Sequence, residues 1–157
     1  MTANVVTATM EEALTTPERE ATLRRLYDWR QRVHALYDEL QRHLGDSFSC
    51  ERSGKQRSWE TRVQQAGLTE DEVPPVDILR ILRNGDLMAE FVPRMLWMIG
   101  ANGRIDLIIT SQNAGRLFML FDRSAPFANQ SDWRIVRPTD MLTQPQFHPE
   151  RFHELLE

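Results

Sequence analysis

Between residues 16 and 44 apolar side chains recur every three or four positions: Leu23, Leu26, Val33, Tyr37, Leu40 and Leu44, with Arg30 in the vacant place. That spacing is one face of a helix. Tyr27, Trp29 and Leu36 flank the stripe and make it wider than a two-stranded zipper seam, which predicts a helix lying on a sheet of its own chain. Thr16 reads as the N-cap, Pro17 as the first helical residue and Gly45 as the stop. The face expected to meet solvent carries Arg24, Arg25, Asp28, Arg32, Asp38, Glu39 and Arg42, with Asp28–Arg32 and Asp38–Arg42 as i,i+4 pairs. Residues 1–15 are small, polar and largely aperiodic. They predict a mobile tail ahead of a single domain over 16–157.

Beyond residue 75 the apolar runs shorten. Asn84-Gly85 separates Val76–Leu82 from Leu87–Val92, and Asn102-Gly103 separates Met95–Ile99 from Ile105–Ile109. Asn-Gly supplies the positive φ angles of a tight hairpin turn, so both steps predict antiparallel ribbons. As two-residue loops they set Arg83 opposite Asp86, Leu82 opposite Leu87, Arg80 opposite Ala89 and Ile78 opposite Phe91. The second ribbon would pair Met98 with Leu107 and Leu96 with Ile109, with Pro93 dividing the two ribbons. Neither face of the first ribbon is cleanly polar, which predicts a sheet partly covered on both sides. Arg116–Phe121 and Trp133–Val136 add strands.

Upstream, Phe48–Arg52 reads as a short strand and Ser53–Arg57 as a polar loop. Ser58 then caps a helix over Trp59–Ala66, which Gly67 ends with Leu68 folding back; Thr69 and Glu72 have the spacing of a capping box. Pro149 opens a terminal helix through Leu156. The fold class is α+β: a long N-terminal helix packed on an antiparallel β-meander of four or five strands, with short connecting and C-terminal helices.

Composition adds mainly exclusions. The 157 residues are 41% hydrophobic and 27% charged, the balance of a soluble globular domain. A net charge of −4 argues against a general nucleic-acid binder. Cys50 is alone, which excludes an internal disulfide and a Cys-based zinc site. No segment approaches the roughly 20 apolar residues of a membrane span, and residues 1–16 lack a secretory signal pattern, so a cytoplasmic setting is expected. Lys55 is the single lysine among nineteen basic residues, which leaves lysine-dependent chemistry one candidate.

Two clusters carry chemistry. The basic stretch Arg52, Ser53, Gly54, Lys55, Arg57 and Ser58, with Arg62 a turn further on, reads as a phosphate or nucleic-acid contact. It lacks the glycine spacing of a Walker loop, and the alternative is a solvated loop whose arginines pair with Glu51 and Glu60. Asp77, Glu90 and Asp106 are carboxylates in apolar runs that could hold a divalent metal as in a small nuclease. The alternative is neutralisation by Arg80, Arg83 and Arg104. His34, His43, His148 and His153 have no metal-ligand spacing, and nothing beside Cys50 activates its thiol. No cofactor is implied. The balance favours a non-enzymatic interaction protein, an accessory subunit or adaptor docking to a protein partner. Nucleic-acid contact through residues 52–62 is the second reading and metal-dependent nuclease chemistry the third.

Overall fold

The computed structural model describes residues 2–110 and 115–156, residues 2–16 as helix backbone only. The expectations for the 1–15 tail and for the Thr16 cap fall on side chains outside that description, and Pro17 lies inside the helix rather than opening it. The elements run α1 (Thr2–His43), β1 (Ser49–Gln56), α2 (Thr61–Gln65), a 3₁₀ turn (Glu70–Glu72), β2 (Val76–Arg83), β3 (Asp86–Met95), β4 (Arg104–Ile109), β5 (Arg116–Asp122), β6 (Trp133–Val136) and a 3₁₀ helix (Pro149–Leu156). The strands form one antiparallel sheet in the order β1-β2-β3-β4-β5-β6. The α+β architecture with its meander is as expected; among the described residues the strands number six rather than four or five.

The helix stripe is buried as its spacing predicts. Leu26, Trp29, Val33, Leu36, Tyr37 and Leu40 pack with Leu79, Ile81, Phe91, Ile105, Leu107, Ile109 and Leu120 in one core. Burying each such side chain contributes about 1.5–3 kcal/mol. Phe147 and Phe152 bring the C-terminal segment into the same core: Phe152 meets Phe91 edge-on at 5.1 Å between ring centroids. The Tyr37 hydroxyl, deep in this layer, lies 2.8 Å from the Asp77 carbonyl and 3.2 Å from that of Phe91. The opposite sheet face holds a smaller cluster of Met119, Phe121 and Val136, sheltered by Met98 and Ala101. Coverage on both sides follows, unequally.

Three registers differ from the sequence reading. At Asn84-Gly85 the tight turn forms and Arg83 faces Asp86, but a bulge beside Met88 then shifts the ladder by one. Ile81 therefore faces Ala89, Arg80 faces Glu90 and Leu79 faces Phe91. Pro93 does not divide two ribbons; it lies within β3, opposite Ile105. The β2–β3 ladder ends at Leu79–Phe91, so from Pro93 onward β3 needs hydrogen bonds on one side only, which a residue without an N–H tolerates. Leu107 and Ile109 accordingly face Phe91 and Ala89, not Met98 and Leu96. Residues 96–103 form a long connection whose own tight turn is Ile99-Gly100, closed by a Met98–Ala101 bridge with Gly100 at φ 82°.

The polar loop expected at Ser53–Arg57 is also corrected. β1 runs through to Gln56 by way of an irregularity between Ser53 and Gln56, where Gly54 has φ 63°. The following helix is shorter than expected, Thr61–Gln65, and Glu60 stands at its N-cap. Its end is as predicted: Gly67 donates to the Gln64 carbonyl at 3.0 Å and Leu68 to that of Val63 at 3.4 Å, a Schellman arrangement. The Thr69–Glu72 capping box forms.

Candidate functional site

The chemically dense region lies where α1 crosses the sheet end formed by the β3–β4 connection and the start of the β5–β6 loop. Trp29 fixes the geometry. Its buried ring lies directly over Gly103, so close that a Cβ at 103 would fall 2.7 Å from Cε3 and from Cη2. Gly103 is therefore required for a close approach, with φ 121°, rather than for a hairpin turn. That approach brings the next helical turn, Arg32, to the sheet.

Arg32 is buried, not on the solvent face where the sequence reading put it. Its Nε donates to Asp28 at 2.9 Å, as the i,i+4 spacing predicts. Its Nη1 donates to Asp122 Oδ2 at 2.6 Å and to the Asn102 carbonyl at 2.8 Å, and the guanidinium lies 5.2 Å from the Trp29 ring centroid. Asp122 has no exposed surface. Burial alone would raise its carboxyl, but backbone N–H groups of Asp132 and Ser124, each 2.9 Å from Oδ1, together with Arg32 hold it below the usual carboxylate range. The Ser124 hydroxyl adds to the field at Asp122 without the alignment of a hydrogen bond. One ion pair thus ties helix, β3–β4 connection and β5 together.

A second arginine reaches the same connection. Arg25 Nη2 donates to Asn102 Oδ1 at 3.0 Å, and its guanidinium lies 5.6 Å from the Trp97 ring centroid. Burial, then repulsion from Arg32, lowers the Arg25 pKa. The connection is pinned from below by Glu60, whose carboxylate accepts the N–H groups of Leu96 at 3.0 Å and Trp97 at 2.9 Å. Two cavities flank the β5–β6 loop. A cleft of about 770 Å³ lies between the Asp28–Glu39 part of α1 and residues 127–131. A smaller one of about 290 Å³ is bounded by Arg25, Leu96–Met98, Gly100–Asn102, Arg123, Ser124 and Pro126. Asn102 is buried and its Nδ2 has no acceptor, nor has Arg25 Nε.

The basic stretch does not converge on one point. Arg52 turns to the helix, donating to Gln41 and Asp38 at 2.8 and 2.5 Å, while Ser53 on the other sheet face accepts from Arg80 at 3.2 Å. Gly54 carries the bulge beside Lys55, Arg57 donates to the Val73 carbonyl at 3.3 Å, and Ser58 donates to Glu60. Arg62 is exposed on α2. The expected partner Glu60 is engaged instead by the β3–β4 connection.

The three strand acids also separate. Asp77 lies on the helix side beside His34, whose Nε2 accepts the Asp77 N–H at 3.2 Å; burial lowers the His34 pKa. Glu90 and Asp106 point to the other face. Arg80 pairs with Glu90 at 3.1 Å, and Arg94 and Arg104 each reach Asp106 at 2.8 Å. Arg83, the other expected neutraliser, stacks 4.3 Å from the Phe48 ring centroid. Cys50 is half-buried and burial raises its thiol pKa.

No family model, curated protein or solved structure matches the chain.

The functional reading therefore rests on geometry alone. Sequence reasoning missed Arg32, Asn102, Asp122 and Arg123. The one available signal was Arg32 itself, three residues after Trp29 and four before Leu36, on the flank of the apolar stripe.

Proposed function

We propose that this protein works by docking, as a non-enzymatic accessory subunit or adaptor that engages a protein partner through the outer loops around Arg123. The observation that carries the reading is the pair Ile99 and Leu142, at 102% and 97% relative exposure on two different loops. Met141 adjoins Leu142 and is itself exposed. Arg123 joins the two sets: its guanidinium lies beside Gly100, and it lines an open cleft with Met141 and Leu142. Methionine and arginine are both enriched at protein interfaces, and arginine is among the residues that dominate their binding energy. Methionine adds a surface that adapts to a partner. Engagement of Glu90 and Asp106 by arginines weighs toward a structural use of those acids.

The test is affinity purification of the tagged chain from its native host, beside an Ile99→Ser/Leu142→Ser double variant. A defined partner recovered with wild type and lost with the variant supports docking at this surface. Equal recovery with both moves the interface elsewhere, and recovery of nucleic acid alone replaces the reading.

A further inference from the structure

We propose that the outer edge of β1 receives an extended acidic segment of a protein partner, which joins the sheet as a further strand. This goes beyond docking at the Arg123 loops and uses a different part of the molecule. It starts from an asymmetry between the two ends of the sheet. At β6 the chain closes its own edge. Ile135 donates to the Pro145 carbonyl at 2.9 Å, Phe147 donates to that of Trp133 at 2.8 Å, and Arg134 pairs with Gln146 in a β-bridge. β1 has no such cover. Among the described residues its main chain is bonded by β2 alone, and none of its eight residues is buried, whereas Trp133 and Val136 of β6 are. An open edge of this kind is a row of N–H and C=O groups ready for another strand.

The first half of this edge is regular. Ser49–Ser53 pairs with β2 without interruption, no proline breaks the strand, and the irregularity at Gly54 comes only afterwards. Leu44, Phe48 and Cys50 form the margin of the core beside it and are only partly buried, so an apolar side chain of an added strand would extend that core. Charge identifies the occupant. Between Ser49 and Ser58 stand Arg52, Lys55 and Arg57 against Glu51 alone, in a chain whose net charge is −4. Glu51 already lies opposite Arg80 in the ladder. Arg52 is paired with Asp38 and Arg57 donates to the Val73 carbonyl; among the described residues neither Arg57 nor Lys55 has a carboxylate partner. A second copy of β1 would bring the same net positive strand and be repelled, whereas an acidic segment is attracted. A phosphate backbone has the right charge but only accepts hydrogen bonds, and would leave the outward carbonyls of β1 without donors. Another main chain satisfies both.

Amide hydrogen exchange and fluorescence anisotropy on the full chain at low salt test this with a short labelled peptide alternating valine and glutamate. Wild type should bind it saturably, and amides within Ser49–Gln56 should exchange more slowly when it is bound. The same peptide with proline at every valine keeps its charge but loses those N–H donors, and should bind at least tenfold more weakly. Lys55→Glu/Arg57→Glu reverses two exposed side chains and should weaken the glutamate peptide roughly tenfold, with circular dichroism to check folding. Ile99→Ser/Leu142→Ser should bind the peptide as wild type does, which keeps this edge distinguishable from the docking surface of the loops. Equal binding of the proline peptide reduces the contact to charge alone and overturns the proposal, as does an absence of protection in β1 at saturation. Protection that rises with protein concentration alone assigns the edge to a second copy, and protection by a single-stranded oligonucleotide but not by the peptide assigns it to nucleic acid; either result overturns the acidic segment.

Discussion

Gly103→Ala isolates the contact on which the helix–sheet arrangement turns. The added Cβ would stand 2.7 Å from two atoms of the Trp29 ring and closer still to Cζ3. The ring cannot swing aside: it is 2% exposed and packs 6.0 Å from Trp133 between ring centroids. Forcing a methyl into such a site costs about 1–3 kcal/mol. An alanine at φ 121° adds backbone strain of about 1 kcal/mol or more. Together these come to roughly 2–4 kcal/mol of a total stability of about 5–15. At about 2–4 °C per kcal/mol for a chain of this size, the melting temperature should fall by about 10 °C. Gly85→Ala is the control, because it shares the positive φ but has nothing among the described residues within 4 Å of its Cβ. It should lose only the strain contribution, about 1 kcal/mol. Urea denaturation of both variants, and of Gly103→Ala in a Trp29→Leu background, separates clash from strain. Equal losses at 85 and 103, or no relief in the Trp29→Leu background, would refute the account.

Asp122→Asn should destabilise, but by less than the about 3–5 kcal/mol of a fully orphaned buried charge, because Arg32 loses one carboxylate and keeps Asp28. Since the folded Asp122 pKa lies below the ordinary 3.8, the ion pair contributes stability above that pH and loses it as pH falls through the folded value; urea titrations across the acid limb should flatten in the variant. Oligonucleotide binding with a steep salt slope is not expected of wild type, given the intramolecular partners of Arg52 and Arg57; fluorescence anisotropy at low salt checks this. Salt-steep binding that disappears on joint replacement of Lys55, Arg57 and Arg62 would restore the nucleic-acid reading. Arg30→Leu should be tolerated and leave the chain monomeric by light scattering, because half-buried Arg30 sits at the edge of a stripe its own sheet already covers. Dimerisation of the variant would show that the helix edge can pair.

The parts of the fold legible in the sequence were those specified by neighbours in the chain. The Leu23–Leu44 spacing, the Asn84-Gly85 turn, the Thr69–Glu72 box and the Gly67 stop each follow from residues within one turn of one another. What escaped depended on distant partners. The bulge at Met88 moves side chains by one place without a local mark, and Pro93 is acceptable only because the β2 ladder has already ended there. Asn102-Gly103 has the composition of a hairpin turn, yet the glycine answers to Trp29, remote in sequence and adjacent in space. The candidate site was hidden for the same reason. Arg25 and Arg32 are indistinguishable from surface arginines until the loops carrying Asn102, Asp122 and Arg123 close around them.

The topology also dictates a sequence of events during folding. Every strand pairs with its neighbour in the chain, so the sheet can zip from the Asn84-Gly85 turn with little loop closure at each step. The helix is the exception. Its link from Arg32 to Asp122 spans 90 residues, and its apolar stripe, which β2 and β3 cover in part, is not fully covered until β4, β5 and the C-terminal 3₁₀ helix have joined them. During synthesis α1 precedes every strand it packs on and is thus among the last elements to be satisfied. The stripe from Leu26 to Leu40 stays incompletely covered until β5 and the C-terminal segment are added, and that interval is when this protein is most open to aggregation and to chaperone capture.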